Sequence, residues 1–302
     1  MDGLILVDKL RGFTSHDAVS EVRRILGSRK IGHFGTLDPL ATGVLILAAG
    51  KATRLFPYFS KEDKVYEGRF RLGFSTDTYD SEGRPDSPQR LDFPNKELLA
   101  AAMGKFEGEI IQFAPSFSAK KFLGKPLYKL ARTRQEVPPR PSRVFISYFR
   151  AKKYAPPFLD FEVKCSSGTY VRSLAHDLGQ VLGCGAHLTD LRRLVSGRFD
   201  ISQCLRLEEI REKAEAGKTD TFLIPLEVLL PEFPKIVLDE AGTELVRHGR
   251  PVPPGRIQNF LPLESFPHQA TVLRLFSQRG EFLALARPDP GKGTLRPFVV
   301  LS

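Results

Sequence analysis

The chain has 302 residues, 41% hydrophobic and 26% charged, and its 45 Lys and Arg outnumber 35 Asp and Glu, for a net charge of +10 at pH 7. These proportions exclude disordered and fibrous classes, and the length suits one sizeable core plus a small second domain. No apolar run nears the roughly 20 residues that cross a bilayer, the longest being about Gly43 to Gly50, and MDGLILVDKL has acids where a secretory leader needs bases, so a cytoplasmic protein is expected.

Gly3 to Asp8 reads as a short strand. Thr14 to Leu26 predicts a helix, because Ala18, Val19, Val22, Ile25 and Leu26 form one apolar stripe, Thr14 and Asp17 have capping-box spacing, and Gly27 is a stop. A glycine-punctuated loop then carries Asp38, followed by an apolar strand at Val44 to Ala48 and a short helix at Lys51 to Phe59. Lys64 to Leu72 alternates, with Tyr66, Phe70 and Leu72 facing one way and Val65, Glu67, Arg69 and Arg71 the other.

Ser75 to Arg90 is polar and turn-rich, a loop by composition, and Asn95 to Phe106 is helical. A long irregular stretch is expected from Gln112 to Arg143, then strands at about Val144 to Tyr148 and Phe158 to Cys165. Val171, Leu174, Leu178 and Val181 predict a helix over Gly168 to Leu182, capped by Ser167 or Thr169 and ended by Gly183. Pro225, Pro231 and Pro234 mark a boundary, beyond which short apolar runs separated by Gly and Pro suggest a small β-rich domain.

Asp38 precedes Pro39, so it sits on extended backbone between turns; its residue type there fits a turn former or a reacting carboxylate. Arg172 falls in the first turn of a predicted helix, where the macrodipole disfavours a cation. An ion pair with a buried acid would account for it and favour that acid's ionised form; a solvated arginine is the plainer alternative. Tyr66 and Tyr170 border the same region, suited either to core packing or to stacking on an unpaired base.

Ala119 to Arg143 contains Lys120, Lys121, Lys125, Lys129, Arg132, Arg134, Arg140 and Arg143 around a single acid, Glu136, with Phe122 and Tyr128 interleaved. Bases that neutralise phosphates beside aromatics that stack point to nucleic acid rather than to a merely solvated face. Cys165, Cys184 and Cys204 are far apart, and His33, His176 and His187 lack metal-site spacing, so no disulfide, metal or cofactor is expected. Gly183-Cys-Gly185-Ala-His187 is a poor dinucleotide fingerprint.

Four segments carry a family resemblance: GHFGTLDPLATG, KVYEGRFRLGFSTDTYDSEG, APSFSAKKFLGKPLYKLAR and CSSGTYVRSLAHDLGQVLGCGAHLTDLRRL. In that order, over about Leu4 to Leu194, they resemble the catalytic signature, tyrosine strand, RNA-gripping insertion and arginine helix of the TruB family of tRNA pseudouridine synthases. The resemblance implies an α+β fold: a mixed, largely antiparallel central sheet flanked by helices, plus a small C-terminal PUA-like domain. It implies a catalytic domain over 1–230 with a basic insertion at about 112–143, and an RNA-binding domain over 231–302. It further implies that Asp38 is the catalytic aspartate, Tyr66 the stacking tyrosine and Arg172 the partner of Asp38. His33, Tyr170 and Leu191 would contact or shape the site of a flipped nucleotide, while Lys120, Lys121, Lys125, Lys129, Arg132 and Arg134 would grip RNA.

The implied reaction is isomerisation of a T-loop uridine of tRNA, with no cofactor, no membrane and no obligate protein partner. Departures from the family pattern fall at Leu10, Phe34, Ala114 and Phe117, none at Asp38, Tyr66 or Arg172. Two readings compete with tRNA isomerisation: a related synthase acting on another RNA, and a noncatalytic tRNA-binding or tRNA-folding protein.

Overall fold

A computed structural model describes residues 1–115, 141–258, 272–289 and 291–302, together with the backbone of 121–122 and 125–126. The first strand, β1 (Gly3–Lys9), is buried along almost its whole length, as is β3 (Thr42–Ala49), and both sequences are continuous apolar runs. Their two faces explain why. Ile5, Val7, Leu45 and Leu47 enter one core with Ala18, Val19 and Val22 of the Ser15–Leu26 helix, while Leu4, Leu6, Val44 and Ile46 enter a second core on the opposite face. Strands covered on both sides lose the polar half of the usual alternation.

The helix starts as its sequence predicts. The Asp17 amide donates to Thr14 Oγ1 at 3.1 Å, the Thr14 amide donates to Asp17 Oδ2 at 2.8 Å, and Gly27 ends the helix in the left-handed region at φ 59°.

These strands belong to a ten-stranded mixed sheet, which adds β2 (Ile31–Phe34), β4 (Lys64–Leu72), β5 (Gly108–Phe113), β8 (Pro141–Ala155), β9 (Phe158–Cys165), β10 (Ala186–Ser196), β11 (Phe199–Asp200) and β12 (Leu223–Pro225). A two-residue ribbon, β6 (Lys121–Phe122) with β7 (Lys125–Pro126), stands apart. The main path runs β12-β1-β3-β10-β4-β9-β8-β5, with β2 beside β3 and β11 beside β10. All pairings along it are antiparallel except β3 with β10, so a late strand is threaded between two early ones. Helices Ser15–Leu26, Lys96–Gly104, Val171–Val181 and Leu207–Glu215 contribute to the first core.

A second sheet joins β13 (Lys235–Leu238), β14 (Leu273–Ser277), β15 (Phe282–Asp289) and β16 (Thr294–Val300), with β13 parallel to β14 and the rest antiparallel. Phe276, Phe282, Leu285 and Leu301 pack it into the second core beside Leu4, Phe34 and Phe59. The fold is therefore α+β, with a large mixed sheet, flanking helices and a small C-terminal sheet.

Three expectations need correction. The stretch expected to be irregular from Gln112 to Arg143 ends in strands: β5 runs to Phe113 and β8 begins at Pro141. These lie at the sheet edge, where Ile111, Phe113 and Phe145 remain exposed and alternation is blurred. Neither Ser167 nor Thr169 caps the Val171–Val181 helix; Tyr170 stands at its N-cap without a side-chain bond, and Thr169 Oγ1 donates instead to the Ser166 carbonyl at 2.9 Å. Lys51 to Phe59 is a 3-10 turn over Gly50–Leu55 running into a short helix at Phe56–Phe59. The polar run Ser75 to Arg90 is a loop, as expected, and touches the sheet through an isolated bridge from Asp80 to Leu188.

Candidate active site

The loop after β2 is pinned before it reaches Asp38. Ser15 Oγ donates to the Leu37 carbonyl at 3.1 Å and accepts from the Leu37 amide at 2.8 Å, while the Gly12 amide donates to the Pro39 carbonyl at 2.8 Å. Leu37, Leu40 and Ala41 are buried in the first core, and the Ala41 amide closes a turn on the Asp38 carbonyl at 3.0 Å. Asp38 thus stands on a fixed turn with apolar anchors on either side, its carboxylate turned to a cleft.

Across the cleft, Arg172 Nε lies 2.9 Å from Asp38 Oδ2, and Nη2 donates to Oδ1 at 3.1 Å, the two-pronged geometry that a planar guanidinium offers a carboxylate. The ion pair anticipated from the position of Arg172 is present. Asp38 is not its only partner. Arg172 Nη1 lies 3.3 Å from Asp80 Oδ2 and donates to the Thr78 carbonyl at 3.2 Å. The Arg172 and Asp80 side chains are each 6% exposed, but that of Asp38 is 36% exposed. Of the two carboxylates on one cation, only Asp38 is open to a reactant.

Asp80 is held in turn. Its Oδ1 accepts from Thr78 Oγ1 at 2.6 Å and from the Glu82 amide at 3.0 Å, and Thr76 Oγ1 donates to its carbonyl at 2.7 Å. Sequence reading missed this residue because STDTYDSEG looks like a solvated turn. The available signal was the clustering of Thr76 and Thr78 around a carboxylate, an arrangement of short side-chain-to-backbone bonds.

The cleft has a volume of about 230 Å³, and its lining includes Asp38, Tyr66, Tyr170, Arg172, Leu191 and Arg193. Five of the six proposed catalytic and nucleotide-shaping residues thus meet in one place. Tyr66 comes from β4, opposite Arg193 of β10, and burial pushes its phenol above the ordinary range, which keeps it neutral. The Tyr170 backbone is clamped by one side chain: its amide donates to Gln112 Oε1 at 2.7 Å, and its carbonyl accepts from Gln112 Nε2 at 3.0 Å.

His33 does not line the cleft. It is half-buried on β2 opposite Leu47, and burial together with the nearby Arg193 pushes its imidazole below the ordinary range. Lys120, Lys121, Lys125, Lys129, Arg132 and Arg134 lie outside the residues whose side chains are described.

Two further cations at the cleft escaped sequence reading: Lys64 and the almost wholly buried Arg193. Arg193 Nε donates to the Val44 carbonyl at 2.7 Å and Nη2 to the Gly35 carbonyl at 3.1 Å. Room for it requires glycine at position 43, which has φ 97° and faces the Arg193 backbone so closely that an added Cβ would run into the Arg193 carbonyl. Among the described residues no cluster of His, Cys, Asp or Glu could hold a metal ion, and no helix is long and apolar enough to cross a membrane.

Comparison with known proteins gives the chain's family. Residues 23–171 match the model of the TruB family pseudouridylate synthase N-terminal domain, and residues 172–231 match that of the tRNA pseudouridylate synthase B C-terminal domain. A protein of Solibacter usitatus named tRNA pseudouridine synthase B is 44% identical over 253 residues, covering 84% of this chain and 86% of its own. One of the same name from Bacillus pumilus is 38% identical over 313 residues, covering 100% and 98%.

Among solved structures, a chain in an H/ACA ribonucleoprotein bound to a substrate RNA containing 2′-deoxyuridine matches with a TM-score of 0.71 at 24% identity, covering 99% of this chain and 85% of that one. A chain of the archaeal box H/ACA Nop10–Cbf5 complex does so with 0.71 at 25%, covering 99% and 86%. These two share the fold. With the sequence relatives and both family models in agreement, the chain belongs to the TruB family of pseudouridylate synthases.

Proposed function

We propose that the chain isomerises the T-loop uridine at position 55 of tRNA to pseudouridine, with Asp38 as the reacting carboxylate. The observation that carries this reading is the pairing of Arg172 with a half-open Asp38 at a cleft also lined by Tyr66. The reaction breaks the bond from ribose C1′ to uracil N1 and rejoins the base through C5, so the nucleotide must first leave its stack. Such flipping costs a few kcal/mol, offset in a pocket by stacking and hydrogen bonds. Tyr66 stacks on the flipped uracil, and Leu191 and Tyr170 close around it. Asp38 then attacks C1′ or takes a ribose proton to give a glycal, and the base is confined until it rejoins.

His33 borders the nucleotide from outside the cleft. The basic run that includes Lys120, Lys121, Lys125, Lys129, Arg132 and Arg134 grips the T-arm, in keeping with counterion release from phosphates. Residues 1–230 form the catalytic domain and 231–302 a PUA-like RNA-binding domain, whose nine Lys and Arg against six Asp and Glu from Lys235 onward suit a polyanion. Action on cytoplasmic tRNA follows from this reading.

The test is tritium release from a T-arm hairpin carrying 5-tritiated uridine. Wild type should release tritium and Asp38→Asn should not, while both bind the hairpin with similar affinity. An active Asn variant would overturn the role of Asp38. Binding without release by the wild type would favour a noncatalytic tRNA-binding protein, and faster release from a ribosomal RNA fragment would redirect the substrate.

A further inference from the structure

The floor of the cleft holds more positive charge than the aspartate pair explains. Arg193 and Lys64 are almost fully buried, on adjacent strands β10 and β4, and the two elements pair in register at Arg193–Tyr66 and Ser196–Lys64. Neither side chain meets a carboxylate among the described residues. Arg193 is held by the carbonyls of Val44 and Gly35, and Lys64 Nζ donates to the carbonyls of Ser60, at 2.9 Å, and Glu62. A third buried cation, Lys9, outside the cleft lining, donates to the carbonyls of Leu10 at 3.0 Å and Phe13 at 2.6 Å.

Carbonyl oxygens fix such charges in place and replace part of their hydration, yet they leave the net charge standing. Removing a charge from water costs several kcal/mol even after relaxation. Burial accordingly drags the ammonium of Lys64 down to about 8, which still leaves it protonated at neutral pH. Asp38, the nearest acid that lines the cleft, is already shared with Arg172. The cleft therefore presents positive charge that its own carboxylate does not neutralise.

The isomerisation proposed above creates negative charge. When the C1′–N1 bond breaks, the electron pair goes to N1 and delocalises onto O2 and O4 of the uracil. This holds whether Asp38 forms an ester at C1′ or removes a ribose proton. The charge is consumed when C5 bonds to C1′, as the Asp38 ester bond breaks and its electron pair returns to the carboxylate, or as the glycal takes its C2′ proton back from Asp38; the C5 proton then leaves and N1 gains one.

Resting on that reading of the reaction, we propose that Lys64 and Arg193 form a preorganised cationic floor that stabilises the uracil anion between bond cleavage and rejoining. Charges fixed before the reaction need no reorganisation when the anion appears, and in a water-poor cleft they act at close to full strength. Tyr66 shares the floor, so the surface that stacks on the base also carries the field that steadies it.

The experiment uses single-turnover reaction of full-length enzyme with T-arm hairpins containing uridine or 5-fluorouridine, and chromatography of the digested nucleosides reads the loss of the starting nucleoside, the step common to both, because C5 of the fluorinated base has no proton to release. Slightly below neutral pH both bases keep their N3 proton. Fluorine withdraws electrons and stabilises the departing anion, so the fluorinated base relies less on the enzyme's cations. Lys64→Met should slow uridine about 100-fold, the scale for loss of one preorganised electrostatic group. It should slow 5-fluorouridine about tenfold less than that, while Lys64→Arg keeps the wild-type ratio of the two rates.

A purely architectural Lys64 would slow both substrates equally, and equal losses overturn the proposal. Should Lys64→Met fail to fold, as judged by near-ultraviolet circular dichroism, Arg193→Gln allows the same comparison. Tritium release by wild type, abolished in Asp38→Asn, tests the underlying reaction separately. If it succeeds while the losses stay equal, the cationic floor alone falls; if wild type leaves uridine unreacted, both fall.

Discussion

Replacing Asp80 with Asn removes one charge from the site without removing bulk. In the native arrangement Asp80 Oδ2 is 3.3 Å from Arg172 Nη1, and both side chains are buried. At an effective dielectric constant near 20, the Coulomb energy at that separation is roughly 5 kcal/mol. Desolvation offsets part of it, and Arg172 would keep Asp38, so the expected net loss lies at the low end for a broken buried pair, about 3 kcal/mol of stability.

Activity should suffer separately. Without the Asp80 charge the guanidinium loses one of the contacts that orient it, beside those to Asp38 and the Thr78 carbonyl, and displacement of a reacting group by about 1 Å costs on the order of 100-fold in rate. Urea unfolding and single-turnover tritium release on a T-arm hairpin read the two effects, with hairpin affinity unchanged. A variant within threefold of wild type in rate, at equal stability, would refute the claim that Asp80 fixes Arg172.

Gln112→Ala strips the Tyr170 backbone of both its clamping bonds in a buried place, and a loss of about 2 kcal/mol in urea unfolding is expected. Gly43→Ala meets a left-handed φ and the Arg193 carbonyl together; it should destabilise by about 3 kcal/mol or yield insoluble protein, whereas Gly12→Ala, at φ 84° with open space around it, should lose clearly less. Lys64→Met tests linkage. The folded Lys64 titrates at about 8 against 10.5 for the free group, so between those values the unfolded chain holds more protons, and the destabilisation caused by burying this ammonium fades as pH rises. Its electrostatic neighbours Glu62, Asp63, Cys165 and Arg193 are common to both proteins, so the stability difference between Lys64→Met and wild type should be largest below about pH 8 and shrink toward 10.5; a pH-independent difference would contradict it.

What the sequence disclosed follows from how far each determinant reaches along the chain. The first helix was legible because its cap, stripe and stop are local, and the alternation over Lys64 to Leu72 correctly turned Tyr66 inward. The Asp38–Arg172 pair spans 134 positions, yet an arginine placed against a helix dipole gave a local reason to expect it. Asp80 offered only its neighbouring threonines as a clue, masked by a run with turn composition, and Arg193 offered none, since it owes its burial to a strand that reads as a basic segment, LRRL. Gln112 was hidden likewise, since only the folded chain shows that it clamps the Tyr170 backbone where the Val171–Val181 helix begins.

The threading of β10 between β3 and β4 also orders events in time. While the ribosome has yet to release residues 186–196, β3 and β4 have no strand to join them, and Tyr66, Asp38 and Arg172 belong to pieces without a common frame. Pairings of such long sequence separation form slowly, and synthesis at about 5–20 residues per second leaves the two strand edges waiting for several seconds. A nascent chain of this length is thus an unfinished sheet with bare edges, and uridine chemistry begins only once one late strand closes the gap.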